Sequence, residues 1–475
     1  MNINSTDKAI LDFLKNLIKD TDFENKVFLA GGAVRDFLLD PNKPSSDLDF
    51  VIDAKHGGID FANWVTNECG VWKEESNPVI FPVYGTAKFV LNGIKHKGFD
   101  LETIDIECVM PRAEKYSHQS RKPTVYNSTL EEDAFRRDFT FNSLFLNISN
   151  GEIIDFTGKG RTDLENGLID TPIDPEIIFR DDPLRMLRVV RFYARFGWNI
   201  ADHLIEQIIK DASNLQYISE ERIREELNKI LISDRPSEGI RLLQDLGLSQ
   251  YIFPELDEQI GVAQNAHHKD DVRDHILEVV SNTPKNLIIR LQALFHDIGK
   301  KKTKSIGEDG KIHFYCHEDV GAKMTQEIMG RLKYSNEEAK KVSNGVKHHM
   351  RLKQAGPDGN NFSNKSLRKF IHSIGTDLDT TLELIHADNI SHAEGSQMPD
   401  QINRIKERIK ELDYTHKSKP PITGNDIISY FNLETGPIIG QLMNVAKEEF
   451  VSNPKITKEE IFDKLTNCLS QQYNG

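Results

Sequence analysis

Val27–Asp53 reads VFLAGGAVRDFLLDPNKPSSDLDFVID, and this stretch decides the reading of the N-terminal part of the chain. The apolar run Val27–Ala30 stops at a double glycine, Gly31-Gly32, and a short basic-acidic segment follows. A second apolar strand then carries two aspartates one residue apart, Asp47 and Asp49. Alternate residues of a strand point to one face, so the two carboxylates face the same way. Glycines lack a Cβ, so the backbone at Gly31 and Gly32 can approach a triphosphate and offer its N–H groups. Arg35 follows within one helical turn, where it could pair with a phosphate oxygen. Mg²⁺ prefers carboxylate and phosphate oxygens. Two such ions roughly 4 Å apart activate an attacking hydroxyl and stabilise a leaving pyrophosphate. A D-x-D pair alone suits two surface aspartates equally well. Preceded by GGAVRD at this spacing, it points to nucleotidyl transfer.

At 475 residues the chain should form several domains rather than one core. Hydrophobic residues at 38% and charged residues at 28% are ordinary for a soluble globular protein. No apolar run approaches membrane-spanning length, so no membrane partner is expected. The opening MNINSTDKAILDFLKNLIKD reads as the start of an amphipathic helix, not as a signal peptide. Cys69, Cys108, Cys316 and Cys468 are far apart and form no C-x-x-C pair, which suits a reduced cytoplasm. The net charge of −14 argues against nucleic-acid binding in general. It leaves room for a local basic groove, because affinity for phosphates depends on where cations cluster.

Up to about residue 155, apolar strands such as KFVLNGI and IDIECVM alternate with helices. From Asp163 to roughly Glu255 the periodicity is helical; from about Gly261 to Glu394 it is helical and histidine-rich. The remainder, from Gln401, is charged and helical with a break at Pro420-Pro421. Linker candidates are AGPDGNNFSN (Ala355–Asn364) and HKSKPPITG. On IDIECVM, Asp105 and Glu107 share a face, and Glu107 is the choice for a third metal carboxylate; an edge strand facing solvent would look the same. PRAEKYSHQSRKPTVYNST, with Arg112, Lys115, Arg121 and Lys122, reads as a turn-rich surface loop.

Five blocks then occur in a recognisable order: GGAVRD…DLD, RRDFTFNSL (Arg136–Leu144), GEIIDFTGKGRTDLENG (Gly151–Gly167), RDDPLRMLRVVRFYARFGW (Arg180–Trp198) and ISEERIREELNKIL (Ile218–Leu231). Over roughly its first half the chain resembles the class II tRNA nucleotidyltransferases, the CCA-adding enzymes, and their bacterial poly(A) polymerase relatives. The resemblance implies an α+β nucleotidyltransferase head of the polymerase-β type with a small mixed sheet over residues 1–155. An all-α neck and body over 156–257 would read the base and bind RNA. It also implies that Arg136, Arg137 and Asp138 hold the ribose and triphosphate with Asn142 beside them. Adjacent arginines supply forks to phosphate, and an aspartate can accept from a sugar hydroxyl; a solvated helix end would carry the same residues.

Base reading is assigned to Asp181, Asp182 and Arg185, expected on one helix whose first turn contains Pro183. Asp181 and Arg185 would then share a face and offer an acceptor and a donor fork to a cytosine or adenine edge. Uracil and guanine present a carbonyl where the amino group should be, and an unpaired buried polar group costs roughly 1–3 kcal/mol. The motif of many bacterial members is Glu-Asp-x-x-Arg; here the first position is Asp181, one methylene shorter. Arg188 and Arg191 continue along the helix, where they could contact triphosphate or tRNA or simply cover solvent faces.

The histidine-rich region carries an ordered series: His275, His296-Asp297, His317, His348-His349 and Asp388. Imidazoles and carboxylates around a hydrolytic water suit Mn²⁺, Fe, Ni²⁺ or Co²⁺ more than structural zinc. The series resembles the HD-domain phosphohydrolases, which implies an all-α HD domain over 258–400 and a helical tail over 401–475. By that match His275, His296, Asp297 and Asp388 are metal ligands, His317 and His349 serve a second metal or phosphate, and Lys300 contacts phosphate. Such a site would hydrolyse phosphomonoesters or 2′,3′-cyclic ends. The expected function is addition of C, C and A to tRNA 3′ ends from CTP and ATP, with Mg²⁺ at Asp47 and Asp49. A poly(A), CC- or A-adding polymerase, and a phosphohydrolase with an RNA-binding front half, are the alternatives.

Overall fold

Among the described residues up to 155, the apolar segments fold as nine strands. They are β1 (Val27–Ala30), β2 (Leu48–Ile52), β3 (Val79–Phe81), β4 (Thr86–His96), β5 (Phe99–Val109), β6 (Arg112–Ser117), β7 (Ser120–Asn127), β8 (Leu144–Asn147) and β9 (Ile153–Asp155). The computed structural model describes residues 5–42, 48–68, 78–96, 99–117, 120–264, 271–308, 310–412 and 419–473. Seven strands form one mixed sheet in the order β3-β4-β5-β2-β1-β8-β9, with β2 and β5 parallel. β1 and β8 are buried along their whole length, as expected for strands covered on both faces.

The crossover between the parallel strands β2 and β5 contains helix Gly57–Glu68, which packs on both of them. That approach is close: a Cβ at Gly58 would lie 2.6 Å from the Cys108 carbonyl oxygen, so only glycine lets the helix seat here. On the other face Val51, Phe28, Ala30 and Phe145 pack against Leu130 and Ala134 of helix Leu130–Phe135. A capping box closes this helix, with Thr129 accepting from the Glu132 N–H and Glu132 accepting from the Thr129 N–H. The segment read as a turn-rich loop is instead an antiparallel pair, β6 with β7. Its β-branched and aromatic residues Thr124, Val125 and Tyr126 outweigh the turn formers around them.

The chain divides into two compact units, Met1–Ser219 with Asp245–Leu248, and Glu220–Gln244 with Ser249–Gly475. The division falls inside the stretch expected to be one neck, 156–257. In the first unit the sheet is followed by helices Pro175–Asp181, Leu184–Phe196 and Asp202–Asp211. An aromatic cluster joins sheet and helices: Phe141 meets Phe192 and Trp198 edge-on at 5.2 Å.

The second unit is helical apart from a short hairpin, Lys304–Ile306 against Ile312–Phe314. Helices Val272–Ser281, His317–Arg331 and Asn336–His348 carry His275, His317 and His348 inward, and helices Leu287–Phe295 and Leu378–Ile390 pack beside them. The tail helices Gly424–Phe431, Pro437–Ser452 and Lys458–Tyr473 have their own core around Ile427, Leu442, Ile461 and Leu465. Among the described residues no helix is long and apolar enough to cross a membrane.

Candidate active sites

Two clusters of chemically capable side chains stand out, one in each unit. In the first, the parallel register of β2 and β5 sets Asp49 directly opposite Glu107. Asp49 is the exposed residue of an otherwise buried strand, while Glu107 is half-buried. Of the two acids considered on β5, Asp105 and Glu107, it is Glu107 that stands in register with Asp49. Asp47 lies outside the described residues. Burial pushes the thiol of the intervening Cys108 well up, and the charges of Glu107 and Asp49 push it further. On the other side of Glu107, β4 brings exposed Lys88 opposite it. No motif singled out Lys88; its place follows from strand pairing alone.

β1 runs antiparallel to β2 with Leu29 opposite Phe50, so Ala30, the last residue of β1 before Gly31, comes alongside Asp49. Gly31 has φ 69° and ψ −129°, a conformation open mainly to glycine. A Cβ there would also lie 2.9 Å from Arg137 Nη1. Gly31 caps helix Gly32–Leu39, whose first N–H groups have no partner within the helix and suit an anion.

Arg35 departs from its expected role. It is 4% exposed and turned into the protein: Nε donates to Asp36 Oδ1 at 2.8 Å and Nη1 to Asn142 Oδ1 at 2.7 Å. Its guanidinium also lies 5.1 Å from the centre of the Phe192 ring. Asn142 passes the chain on, donating to Asp138 Oδ1 at 3.0 Å, and Arg188 Nε donates to Asp138 Oδ2 at 2.7 Å. Arg136 and Arg137 are both held by Asp133, which is fully buried and was not singled out from the sequence. Its spacing, i+3 and i+4 to the two arginines, was the available signal. Arg191 lies over the Phe192 ring at 4.5 Å.

Burial would raise the Asp138 carboxyl, but the Arg188 charge and hydrogen bonds from Asn142 and Arg188 bring it down to about 2 from an ordinary 3.8. A carboxylate with a depressed folded pKa contributes stability that is complete above its unfolded pKa and is lost as pH falls through the folded one. Asp138→Asn should therefore cost ~2 kcal/mol at pH 7 and flatten the stability profile between about pH 4 and 2. All three tryptophans lie in the first unit, so urea unfolding followed by their fluorescence at several pH values reads this directly.

The expected sharing of one helix by Asp181, Asp182 and Arg185 is corrected by the structure. Helix Pro175–Asp181 ends at Asp181; Asp182 is its extended C-cap, and a new helix runs Leu184–Phe196 after Pro183. A residue before proline is pushed out of the helical region, and this outweighs the helical periodicity on either side. Asp181 and Arg185 thus sit on different helices, while Asp182 Oδ1 accepts from the Leu184 N–H at 3.2 Å. Arg185 is 9% exposed and donates to the carbonyls of Ile178 and Arg136, at 3.3 and 2.8 Å. It ties the start of helix Leu184–Phe196 to the backbone of the paired arginines.

In the second unit four imidazoles converge on Asp297. His296 Nε2 lies 3.1 Å and His275 Nε2 3.7 Å from Oδ2; His317 Nε2 lies 3.2 Å and His349 Nε2 3.7 Å from Oδ1. Asp388 Oδ1 is 3.1 Å from His275 Nε2. His296 is the cap residue of helix Leu287–Phe295, and Asp297 lies just beyond it. Nδ1 of His296, His317 and His349 each bonds a backbone carbonyl three residues back, which leaves Nε2 as the lone-pair donor. Burial alone would raise Asp297, yet His296, Lys300 and the bond from His317 hold it well below the carboxylate range; Lys353 and His275 do the same for buried Asp388.

This donor set fits divalent ions. His275, His296 and Asp297 form one group of mutually close ligand atoms, and Asp297, His317 and His349 form another, so one carboxylate is shared between two sub-sites. The buried His296 Nε2 makes no aligned hydrogen bond despite its closeness to Asp297, which leaves it ready to ligate.

Three family models match: the poly A polymerase head domain over residues 27–170, the "Probable RNA and SrmB-binding site of polymerase A" over 197–260, and tRNA nucleotidyltransferase domain 2 over 312–464. The chain is 31% identical to the multifunctional CCA protein of Actinobacillus pleuropneumoniae over 327 residues, 66% of this chain and 72% of that one. It is 34% identical to the mitochondrial CCA tRNA nucleotidyltransferase of Candida glabrata over 255 residues, 52% of this chain and 47% of that one. The chain spans about half the length of the curated yeast relatives it matches. In fold it is similar to the Bacillus stearothermophilus CCA-adding enzyme solved with CTP, with TM-score 0.67 and 21% identity over 99% of this chain and 100% of that one. The paired carboxylates, the glycine turn and these matches lead to one assignment: the chain belongs to the class II CCA-adding enzyme and poly(A) polymerase family.

Proposed function

We propose that the protein is a CCA-adding tRNA nucleotidyltransferase, taking CTP and ATP and releasing pyrophosphate. The observation that carries this reading is the in-register pair Asp49–Glu107 beside the Gly31 turn. Asp47, Asp49 and Glu107 would hold Mg²⁺, which when bound supplies a Lewis acid for the attacking and leaving oxygens. The N–H groups after Gly31 and the Asp133-held arginines Arg136 and Arg137 receive the triphosphate, and Asp138, fixed by Asn142 and Arg188, accepts from the ribose. Arg35 acts through Asn142. Asp182 and Arg185, on either side of the helix break, read the base edge. Solved relatives named as CCA-adding enzymes with CTP, ATP and tRNA support these ligands. Free Cys108, Cys316 and Cys468 support a reducing compartment such as the cytoplasm.

For the second unit we infer an HD-type phosphohydrolase. His275, His296, Asp297 and Asp388, with His317 and His349 for a second ion, would hold divalent transition metals. Those metals would supply a water acidic enough to attack phosphorus near neutral pH. Lys300 and Lys353, each on a ligand carboxylate, are placed to meet phosphate oxygens. Trimming of tRNA 3′ ends before nucleotide addition is a coherent use of such a site.

The deciding experiment gives the protein tRNAs ending before the first C, before the second C and before A, each with single nucleotides. One C, one C and one A are expected; a growing A tract on all three would make it a poly(A) enzyme. Arg185→Ala should lose roughly 5- to 100-fold in C and A incorporation, the cost of an unmatched buried polar edge, while still binding tRNA. Because Arg185 also holds two carbonyls, the same assay on Arg185→Lys separates base reading from folding. Normal CCA addition by both variants would refute the role.

A further inference from the structure

Strand pairing sets Ala30 of β1, Asp49 of β2, Glu107 of β5 and Lys88 of β4 in one row across the seven-stranded sheet. Residues directly opposite in paired strands point to the same face, so the Lys88 cation shares the carboxylates' side. The next pair along that face, Val51 and Val109, packs with Leu130 and Ala134 of helix Leu130–Phe135, which ends at Arg136. The row therefore lies on the face bordered by the helix that delivers the arginine pair.

The two ends of the row differ. At one end β1 runs out into the Gly31 turn, which opens helix Gly32–Leu39. At the other, Lys88 is exposed, and its neighbour on the edge strand β3, Val79, is 58% exposed. Neighbouring strands lie about 4.8 Å apart, so the Lys88 backbone stands about 10 Å from that of Asp49, beyond Glu107. An in-line displacement at phosphorus keeps the attacking and leaving oxygens on opposite sides. With the triphosphate at the Gly31 end, the strand bearing the attacking hydroxyl comes in over Glu107 from the Lys88 end. Its last phosphodiester carries a negative charge toward a row of carboxylates, and like charges repel. An exposed ammonium on a flexible stem, one strand beyond the third carboxylate, is the group that offsets this repulsion.

We propose that Lys88 binds the last phosphodiester of the tRNA acceptor strand and so holds the terminal hydroxyl toward the metal carboxylates. This rests on the nucleotidyl-transfer reading above and supplies its acceptor side, which the glycine turn and the arginine pair do not serve. A phosphate contact positions a strand without reading its sequence. Lys88 therefore acts alike on an end awaiting C and an end awaiting A.

A double-substitution cycle on the full chain tests this, with ATP, Mg²⁺ and tRNA ending before A. One acceptor is natural; in the other the last phosphodiester is an uncharged methylphosphonate. Lys88→Ala should lower kcat/KM for the natural acceptor about 5- to 50-fold, the contribution of a hydrogen bond to a charged group, and leave KM for ATP unchanged. Lys88→Arg should keep most of the rate. On the methylphosphonate acceptor the parent and Lys88→Ala should be equal, because each change removes one partner of the same contact. Losses that simply multiply, or a raised KM for ATP, would overturn the assignment. So would a raised Mg²⁺ requirement, the sign of a cation that serves only Glu107. Growth of an A tract with the same coupling would discard CCA addition and keep Lys88; no addition by the parent would discard both.

Discussion

Asp49→Asn is expected to abolish nucleotide addition, by about 10³-fold or more, in a protein that folds normally. A positioned divalent ion contributes several kcal/mol to the transition state, and each 1.36 kcal/mol is tenfold in rate. The substitution removes a ligand charge and almost no volume. It falls at the exposed position of β2, where Leu48, Phe50, Val51 and Ile52 carry the packing, so a change in stability within about 0.5 kcal/mol is expected. Incorporation of labelled CTP under single-turnover conditions, beside a melting curve, checks both halves. Activity within tenfold of the parent would move the reacting centre away from the β2–β5 row.

The second large effect is expected at Asp297. Its two oxygens divide four imidazoles into two pairs, so Asp297→Asn should empty both sub-sites. His349→Ala touches one pair and should remove one metal equivalent of two. Metal content of the purified, metal-supplemented chain measures this directly, and hydrolysis by Asp297→Asn should fall at least about 10³-fold. Asp297 also carries the buried Lys300 charge. Breaking such a pair costs about 3–5 kcal/mol, so a lowered melting temperature is expected alongside. Addition of C, C and A should be retained, since the β2–β5 row lies in the other unit. Full metal content in Asp297→Asn would refute the shared-ligand geometry.

Much of this was legible along the chain because the signals are local. The apolar runs Val27–Ala30 and Leu48–Ile52, the glycine pair between them and the order of histidines depend on neighbours a few residues away. Even the double hold of Asp133 on Arg136 and Arg137 was present as an i+3, i+4 spacing. The helix break before Pro183 was equally local, and the missed signal there was the constraint proline places on Asp182.

What the sequence determined by itself is therefore the inventory: a carboxylate-bearing strand beside a glycine turn, an arginine pair, an acidic-basic segment at Asp181–Arg185 and a set of imidazoles. Only the tertiary structure decided the partnerships. It set Glu107 and Lys88 beside Asp49, turned Arg35 inward onto Asn142 and placed Asp297 between two histidine pairs. The reason is physical. Strand register and the direction of a buried side chain are fixed by closing the whole core, through contacts between residues tens to over a hundred positions apart, and no local pattern encodes them.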